Sequence, residues 1–452
     1  MQTKKLTPGI TIFSVVLSLL LVALAPFLRN IHGNPFSSNM ETYVHLTALN
    51  SNSLSFYDIV LKKLVALSSP QIIVVVLPLF FALGSLVFFL LLLKPRLKRR
   101  RELCATMLVL ALTPAFIGMH MGLTLYAALL FFTLVAVYLF TEKYYLYLFF
   151  LFIIFLLDPL YATFLFAGIF FLEFFKKDNK HAILVLISYV ILLFASSFLP
   201  FIVSFSFSFS FDINSIFSFL GGRCGYSLFL VLLGMGGFLA IHSKAKLTGV
   251  KSLQAAVLIL SLFYEPLRLG GLLLLSYYSV QGFILLISRD WHVKTLQQLT
   301  ALLFICILLF ATSSYIKEEV HQAPTQEHIR ALSYLRATIA DHSSHATTHI
   351  LSNPANTPFV EFFSGLETQD HFATELLASQ SFSYVSLLFS QQDIAFVFVD
   401  PVMTQGAIWQ RPEEGLLFVM NHNSKFKKIY DNVGYSIYYF LDWNSTVSQE
   451  SS

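Results

Sequence analysis

Through the first 316 residues, charged residues fall between long apolar segments in a fixed alternation. Basic clusters occupy every second connection, and the connections between them carry isolated acids and arginines. Runs such as Ile72–Leu93 and Ala301–Ala311 are long or apolar enough to cross a roughly 30 Å hydrocarbon core, alone or with their flanks. With 56% hydrophobic and only 12% charged residues among 452, a soluble globule could not hide the apolar surface. The chain therefore reads as a polytopic α-helical membrane protein.

About eleven spans are expected, roughly 10–28, 71–93, 103–119, 121–140, 144–157, 159–175, 181–200, 226–241, 252–264, 267–287 and 297–314. With the N-terminus inside, the inner connections carry 17 Lys and Arg and the outer ones five: Arg29, Lys62, Lys63, Arg223 and Arg268. Loop Lys/Arg bias sets orientation, so the sequence predicts a multi-pass protein of the cell membrane with a cytoplasmic N-terminus. An odd number of spans places the C-terminal part outside. The net charge of +4 follows from this bias and does not indicate nucleic acid. Lys4 and Lys5 precede the first apolar run, and Ala23-Leu24-Ala25 resembles a cleavage site, but Pro26 would follow the cut. An uncleaved signal anchor is expected. Cys104, Cys224 and Cys306 form no CxxC and read as small buried hydrophobes.

Three regions are expected: a transmembrane domain over 1–316 with its first outer loop at 29–70, a soluble extracytoplasmic α/β domain over 317–443, and a flexible tail over 444–452. In the soluble part, Glu327–Ala340 places Ile329, Leu332, Leu335 and Ile339 on one helix face. His349–Leu351 reads as a strand, Phe359–Phe363 as a helix and Ile394–Val399 as a buried strand. Phe426–Tyr430 and Tyr435–Leu441 flank a turn and read as a hairpin. Ser204–Phe211 alternates strictly and reads equally as a strand or as an interfacial segment. Asn444-Ser445-Thr446 is a glycosylation sequon, compatible with an outer tail.

The outer side holds five acids ahead of the soluble domain: Glu41, Asp58, Asp158, Asp212 and Glu265. A carboxylate at the membrane surface can deprotonate an acceptor, and an arginine can clamp a phosphate through paired N–H donors. A helix from about residue 39 would set Glu41 and His45 one turn apart on one face. Ser55-Phe56-Tyr57-Asp58 opens a second amphipathic helix suited to the interface plane. Both Ser38-x-x-Glu41 and Ser55-x-x-Asp58 also fit the capping box, in which the acid only satisfies backbone N–H groups. Glu41 reads equally either way, and Asp58 more readily as a cap. Asp158 before Pro159 reads as a cap, and Asp212 as a solvated loop acid. Glu265 with Arg268 reads more readily as an ion pair. Arg223, flanked by Gly221-Gly222 and Gly225, fits a donor phosphate or a snorkelling side chain. His342, His345 and His349 have no cysteine or aligned carboxylate and read as solvated rather than as a metal site. No P-loop, GxSxG or HExxH is present.

Several stretches, in order, resemble the GT-C glycosyltransferases, and most nearly archaeal membrane proteins related to the oligosaccharyltransferase catalytic subunit. They are Glu41-Thr42-Tyr43-Val44-His45-Leu46, Thr113-Pro114-Ala115-Phe116-Ile117, the Gly221-Gly222 loop, and Leu332-Ser333-Tyr334-Leu335. The resemblance implies a membrane glycosyltransferase using a polyprenyl-phosphate-linked sugar at the outer face. Glu41 would then occupy the position of the first-loop catalytic acid. From the residues themselves, His45 and Asp58 are the further catalytic candidates, and Arg223 or Arg268 is expected to bind the donor phosphate. The acceptor is unknown. The family often pairs its first-loop acid, whereas Asn39-Met40-Glu41 supplies one carboxylate. Gly118-Met119-His120-Met121-Gly122 has no acid where oligosaccharyltransferases carry a second acidic motif, and the WWD-type acceptor signature is missing. A simpler monosaccharide transferase or an inactive relative fits better than a true oligosaccharyltransferase. No metal ligand set is assigned, and a divalent cation is left open. Two other classes compete: a non-catalytic scaffold in envelope or glycan assembly, and, ranked lower among active functions, a secondary transporter. Transporters usually show repeated halves and charges inside their spans, and few such charges occur here.

Overall fold

Prolines and small polar residues decide where the helices start. This computed structural model describes residues 9–49, 55–97, 99–175, 179–196, 228–242, 249–261, 267–288, 293–341, 349–369, 372–411 and 413–441. The chain divides into two compact units, Met1–Arg29 with Ser51–Val320, and Asn30–Asn50 with His321–Ser452.

Along the chain come α1 (Gly9–Ile31), α2 (Met40–Ala48), α3 (Phe56–Leu67), α4 (Pro70–Leu93), α5 (Arg100–Ala111), α6 (Pro114–Met119) and α7 (Leu125–Thr141). Then follow α8 (Tyr147–Leu157), α9 (Pro159–Phe175), α10 (Asn179–Ser196), α11 (Leu228–His242), α12 (Gly249–Leu260), α13 (Arg268–Ser288) and α14 (Lys294–His321). Apart from α2 and the last residues of α1 and α14, these form the first unit. Pro70, Pro114 and Pro159 open α4, α6 and α9, where a missing N–H costs nothing. Asp158 caps α9 by accepting the Tyr161 N–H at 2.9 Å, as its place before Pro159 suggested.

Four helices, α1, α4, α13 and α14, contain apolar stretches long enough to cross a membrane, and six shorter apolar helices accompany them among the described residues. This is a mostly helical membrane protein. Length and composition among the described residues do not by themselves confirm the expected count of about eleven spans. The span expected over 103–119 is two helices, α5 and α6. Pro114 lacks the N–H that a continuous ladder needs and pushes Thr113 to extended backbone, with ψ 128°.

Two packing details hold the first unit together. Arg29, counted in the sequence as an outer loop charge, is fully buried, and its Nη1 donates to the Glu319 carbonyl at 2.5 Å. A guanidinium there satisfies a carbonyl of the last turn of α14 and complements the negative end of the helix dipole. The second detail is the close approach of α11 and α13. A Cβ on Gly237 would strike the Tyr278 carbonyl oxygen, and one on Gly282 the Leu233 carbonyl oxygen. Small residues let the two backbones touch, as in many membrane helix pairs.

The second unit is built on a five-stranded sheet: β1 (His349–Leu351), β2 (Glu367–Thr368), β3 (Ile394–Val399), β4 (Phe426–Asn432) and β5 (Tyr435–Phe440). The order is β2-β1-β3-β5-β4, with β2, β1 and β3 parallel and β5 and β4 antiparallel. All six residues of β3 are buried, as the unbroken apolar run predicts for a strand covered on both faces. Val433 and Gly434, both at positive φ, close the expected hairpin between β4 and β5. The helices of this unit are α15 (Gln326–Asp341), α16 (Thr357–Ser364), α17 (Ala373–Ala378), α18 (Phe382–Gln391) and α19 (Gly415–His422). In α15, Leu332 and Leu335 are fully buried on the face read from the sequence. The first-loop helix α2 also belongs here and packs on α16.

Candidate functional site

Helix α2 begins one residue later than a Ser38 cap would require. Asn39 is the N-cap, and its Oδ1 accepts the Glu41 N–H at 2.9 Å. Glu41 is then the second helical residue, one short of the third position that a capping-box acid occupies. The Ser38–Glu41 capping box is therefore not the one that forms. Glu41 Oε1 lies 3.6 Å from His45 Nε2, one turn on, with the two side chains 29% and 12% exposed respectively. That spacing suits an ion pair if the imidazole is protonated and is too long for a hydrogen bond. A carboxylate and an imidazole at this distance can share the handling of one proton.

Asp58 is employed differently. Its Oδ2 accepts the Ser55 N–H at 3.2 Å and the Ser55 hydroxyl at 2.6 Å, while Ser55 Oγ accepts the Asp58 N–H at 3.2 Å. The capping box predicted for α3 is complete, with Asp58 buried and Ser55 exposed. Arg268 opens α13 and is also buried. Asp58 and Arg268 belong to the first unit, whereas Glu41 and His45 belong to the second. The structure thus brings Glu41 and His45 together as one pair. Arg223 with its glycines, Asp212, Glu265, Ser204–Phe211, His342, His345 and the Asn444 sequon lie outside the described residues. His349, which is described, starts β1 and is half-buried. Among the described residues no three His, Cys, Asp or Glu side chains gather as a metal site would require.

One polar cluster in the second unit left no mark in the sequence reading. His328 Nδ1 accepts the Thr325 N–H at 3.2 Å, which leaves the ring proton on Nε2. The hydroxyls of Thr325 and Tyr435 lie at 2.9 and 3.1 Å from the same nitrogen. Nearby in the sheet, Asp400 follows β3, is fully buried, accepts the Met403 N–H at 2.8 Å and takes an N–H from Asn356. Burial raises the Asp400 carboxyl and lowers His328 from 6.5 to about 4. The unfolded chain protonates His328 first, so its contribution to stability is whole above pH 6.5 and is lost as pH falls toward 4. The loss reaches about 3 kcal/mol. The raised Asp400 carboxyl acts with the opposite sign in acid, so comparison with a variant isolates the histidine. Thermal unfolding of the full chain between pH 7 and 4.5 should show wild type losing more stability than His328→Gln. Parallel profiles for the two would remove His328 as the source.

No protein-family model matches the sequence, and no curated protein matches it significantly. Solved structures do match in fold. The apo oligosaccharyltransferase of Archaeoglobus fulgidus is similar over 98% of this chain and 75% of its own, with a TM-score of 0.60 and 11% identity. Its oligosaccharyltransferase AglB, solved with an inhibitory peptide and a dolichol-phosphate, matches over 96% and 74%, with a TM-score of 0.55 and 11% identity. A complex of the same organism's enzyme with zinc and sulfate matches over 96% and 73%, with a TM-score of 0.54 and again 11% identity. The likeness read from short motifs is therefore met at the level of fold: the structural neighbours of this chain are archaeal oligosaccharyltransferases of the GT-C type.

Proposed function

We propose that this chain is a membrane glycosyltransferase that takes a sugar from a polyprenyl-phosphate-linked donor at the outer membrane face. The observation that carries this reading is the fold likeness over 98% of the chain to an oligosaccharyltransferase. A neighbour of that kind was solved with a dolichol-phosphate, which is a lipid phosphate of the proposed class. The 17-to-5 bias of loop Lys and Arg supports a cytoplasmic N-terminus and an extracytoplasmic C-terminal unit.

In the proposed reaction Glu41 is the general base. It removes the proton from the acceptor nucleophile as that atom attacks the anomeric carbon. The bond from that carbon to the phosphate oxygen breaks, and polyprenyl phosphate leaves with the electron pair. His45 steadies the carboxylate and can take up its proton. Arg223 and Arg268 hold the departing phosphate through their N–H donors. Asp58 serves by keeping α3 in shape through its bonds to Ser55. No step is routed through a metal.

Purified protein incubated with a panel of polyprenyl-phosphate sugars should release polyprenyl phosphate and form a glycosyl product from at least one of them. Proteoliposome uptake of a solute with no lipid-phosphate release from any donor would replace the reading with transport.

A further inference from the structure

The proposed base sits on a helix that cannot stand alone. Helix α2 has nine residues, and isolated helices shorter than about 12 residues are marginal in water. Its order must come from what it packs against. One face carries Thr42, Tyr43 and Leu46, all buried, and at about 100° per residue the Glu41–His45 face points roughly 125° away from it. Whatever fixes the first face therefore aims the second.

Tyr43 fixes it. Its ring is 3% exposed and meets three phenylalanines of α16: Phe359 at 6.5 Å, Phe362 at 5.7 Å and Phe363 at 5.6 Å between ring centroids. Tilted and edge-on ring pairs of this kind add to plain burial. The hydroxyl donates to the Ser37 carbonyl at 2.9 Å. Ser37 Oγ in turn accepts the Asn39 N–H at 3.1 Å and pairs with the Thr42 hydroxyl at 3.0 Å. One side chain thus ties the start of α2, including its cap, to a helix more than 300 residues later.

We infer that Tyr43, held by Phe359, Phe362 and Phe363, is a positioning residue that sets the orientation of the Glu41–His45 face for transfer. The inference rests on the proposed role of Glu41. It gives the C-terminal unit a part in the reaction apart from any contact with acceptor: it holds the base.

The test uses the full chain in nanodiscs, with steady-state kinetics on a donor that the wild type turns over. Tyr43→Ala should lower kcat about tenfold or more with the donor KM within roughly twofold, since misplacing a reacting group costs rate rather than ground-state binding. Amide exchange should rise across residues 40–48 and stay unchanged in β3. Tyr43→Phe keeps the ring contacts and should recover most of kcat. Phe362→Ala combined with Tyr43→Ala should be little worse than Tyr43→Ala alone, because both remove one device. Wild-type kcat in Tyr43→Ala would overturn the inference, and so would faster exchange spread equally through β3, which would mark general unfolding. Glu41→Gln run alongside separates the two ideas. Full turnover by that variant rejects the base assignment itself, whereas an inactive Glu41→Gln beside an unaffected Tyr43→Ala rejects only the positioning role.

Discussion

Glu41→Gln should reduce sugar transfer by about a hundredfold to ten-thousandfold, the usual contribution of a positioned general base. The amide keeps the shape of the side chain and loses only its ability to accept the proton. Folding should survive for a structural reason. Asn39, not Glu41, supplies the cap of α2, and the Glu41 side chain is 29% exposed and so not part of a sealed core. Asp58→Ala makes the useful contrast. It removes a completed capping box whose loss costs on the order of 1 kcal/mol of stability, so its effect should appear in melting before it appears in kcat. Measured together, the two variants separate chemistry from scaffolding. If Glu41→Gln turns over donor like the wild type, the carboxylate is no base, and the non-catalytic scaffold becomes the better account of the fold.

The elements of the second unit were readable because each advertises itself locally. The Ile394–Val399 run, the turn between two alternating segments, and the apolar face of Glu327–Ala340 all fall where strand, hairpin and helix are found. The Ser55–Asp58 cap was readable for the same reason, since both partners lie within one turn. What could not be read is long-range. Nothing near Tyr43 announces that its partners are Phe359, Phe362 and Phe363, so the attachment of the first-loop helix to the C-terminal unit had no local signal. Arg29 was counted only as an outer-connection charge because its acceptors are backbone carbonyls at Glu319 and Val320, and backbone carries no sequence mark. At Glu41 two adjacent residues, Ser38 and Asn39, are near-equal N-caps by type, and the choice between them decides whether the acid at 41 belongs to the cap. A buried histidine such as His328 is equally silent, because a single His on a helix face resembles any other.

Gly237→Ala should destabilise the membrane unit by about 3 kcal/mol or more, because the atoms in the way belong to backbone and cannot rotate aside. The added methyl would meet the Tyr278 carbonyl oxygen and lie 2.7 Å from the Gly282 nitrogen. The α11 and α13 axes would have to part, and the bond from Ser279 Oγ to the Leu230 carbonyl, now 2.7 Å, would lengthen with them. Its neighbour supplies an internal control. Gly236 lies on the same helix and has open space where a Cβ would go. Gly236→Ala should therefore be neutral or stabilise slightly, since alanine is the better helix former by roughly 1 kcal/mol. Two identical substitutions at adjacent residues are thus expected to move the melting temperature in opposite directions. Equal melting of the two variants in detergent would show that the helices do not approach through Gly237. The consequence reaches the proposed chemistry as well. Arg268 is the first residue of α13, so a shift of this helix moves the guanidinium assigned to the donor phosphate. A Gly237→Ala protein that still folds should accordingly show a raised KM for the lipid-linked donor, whereas Gly236→Ala should leave it unchanged.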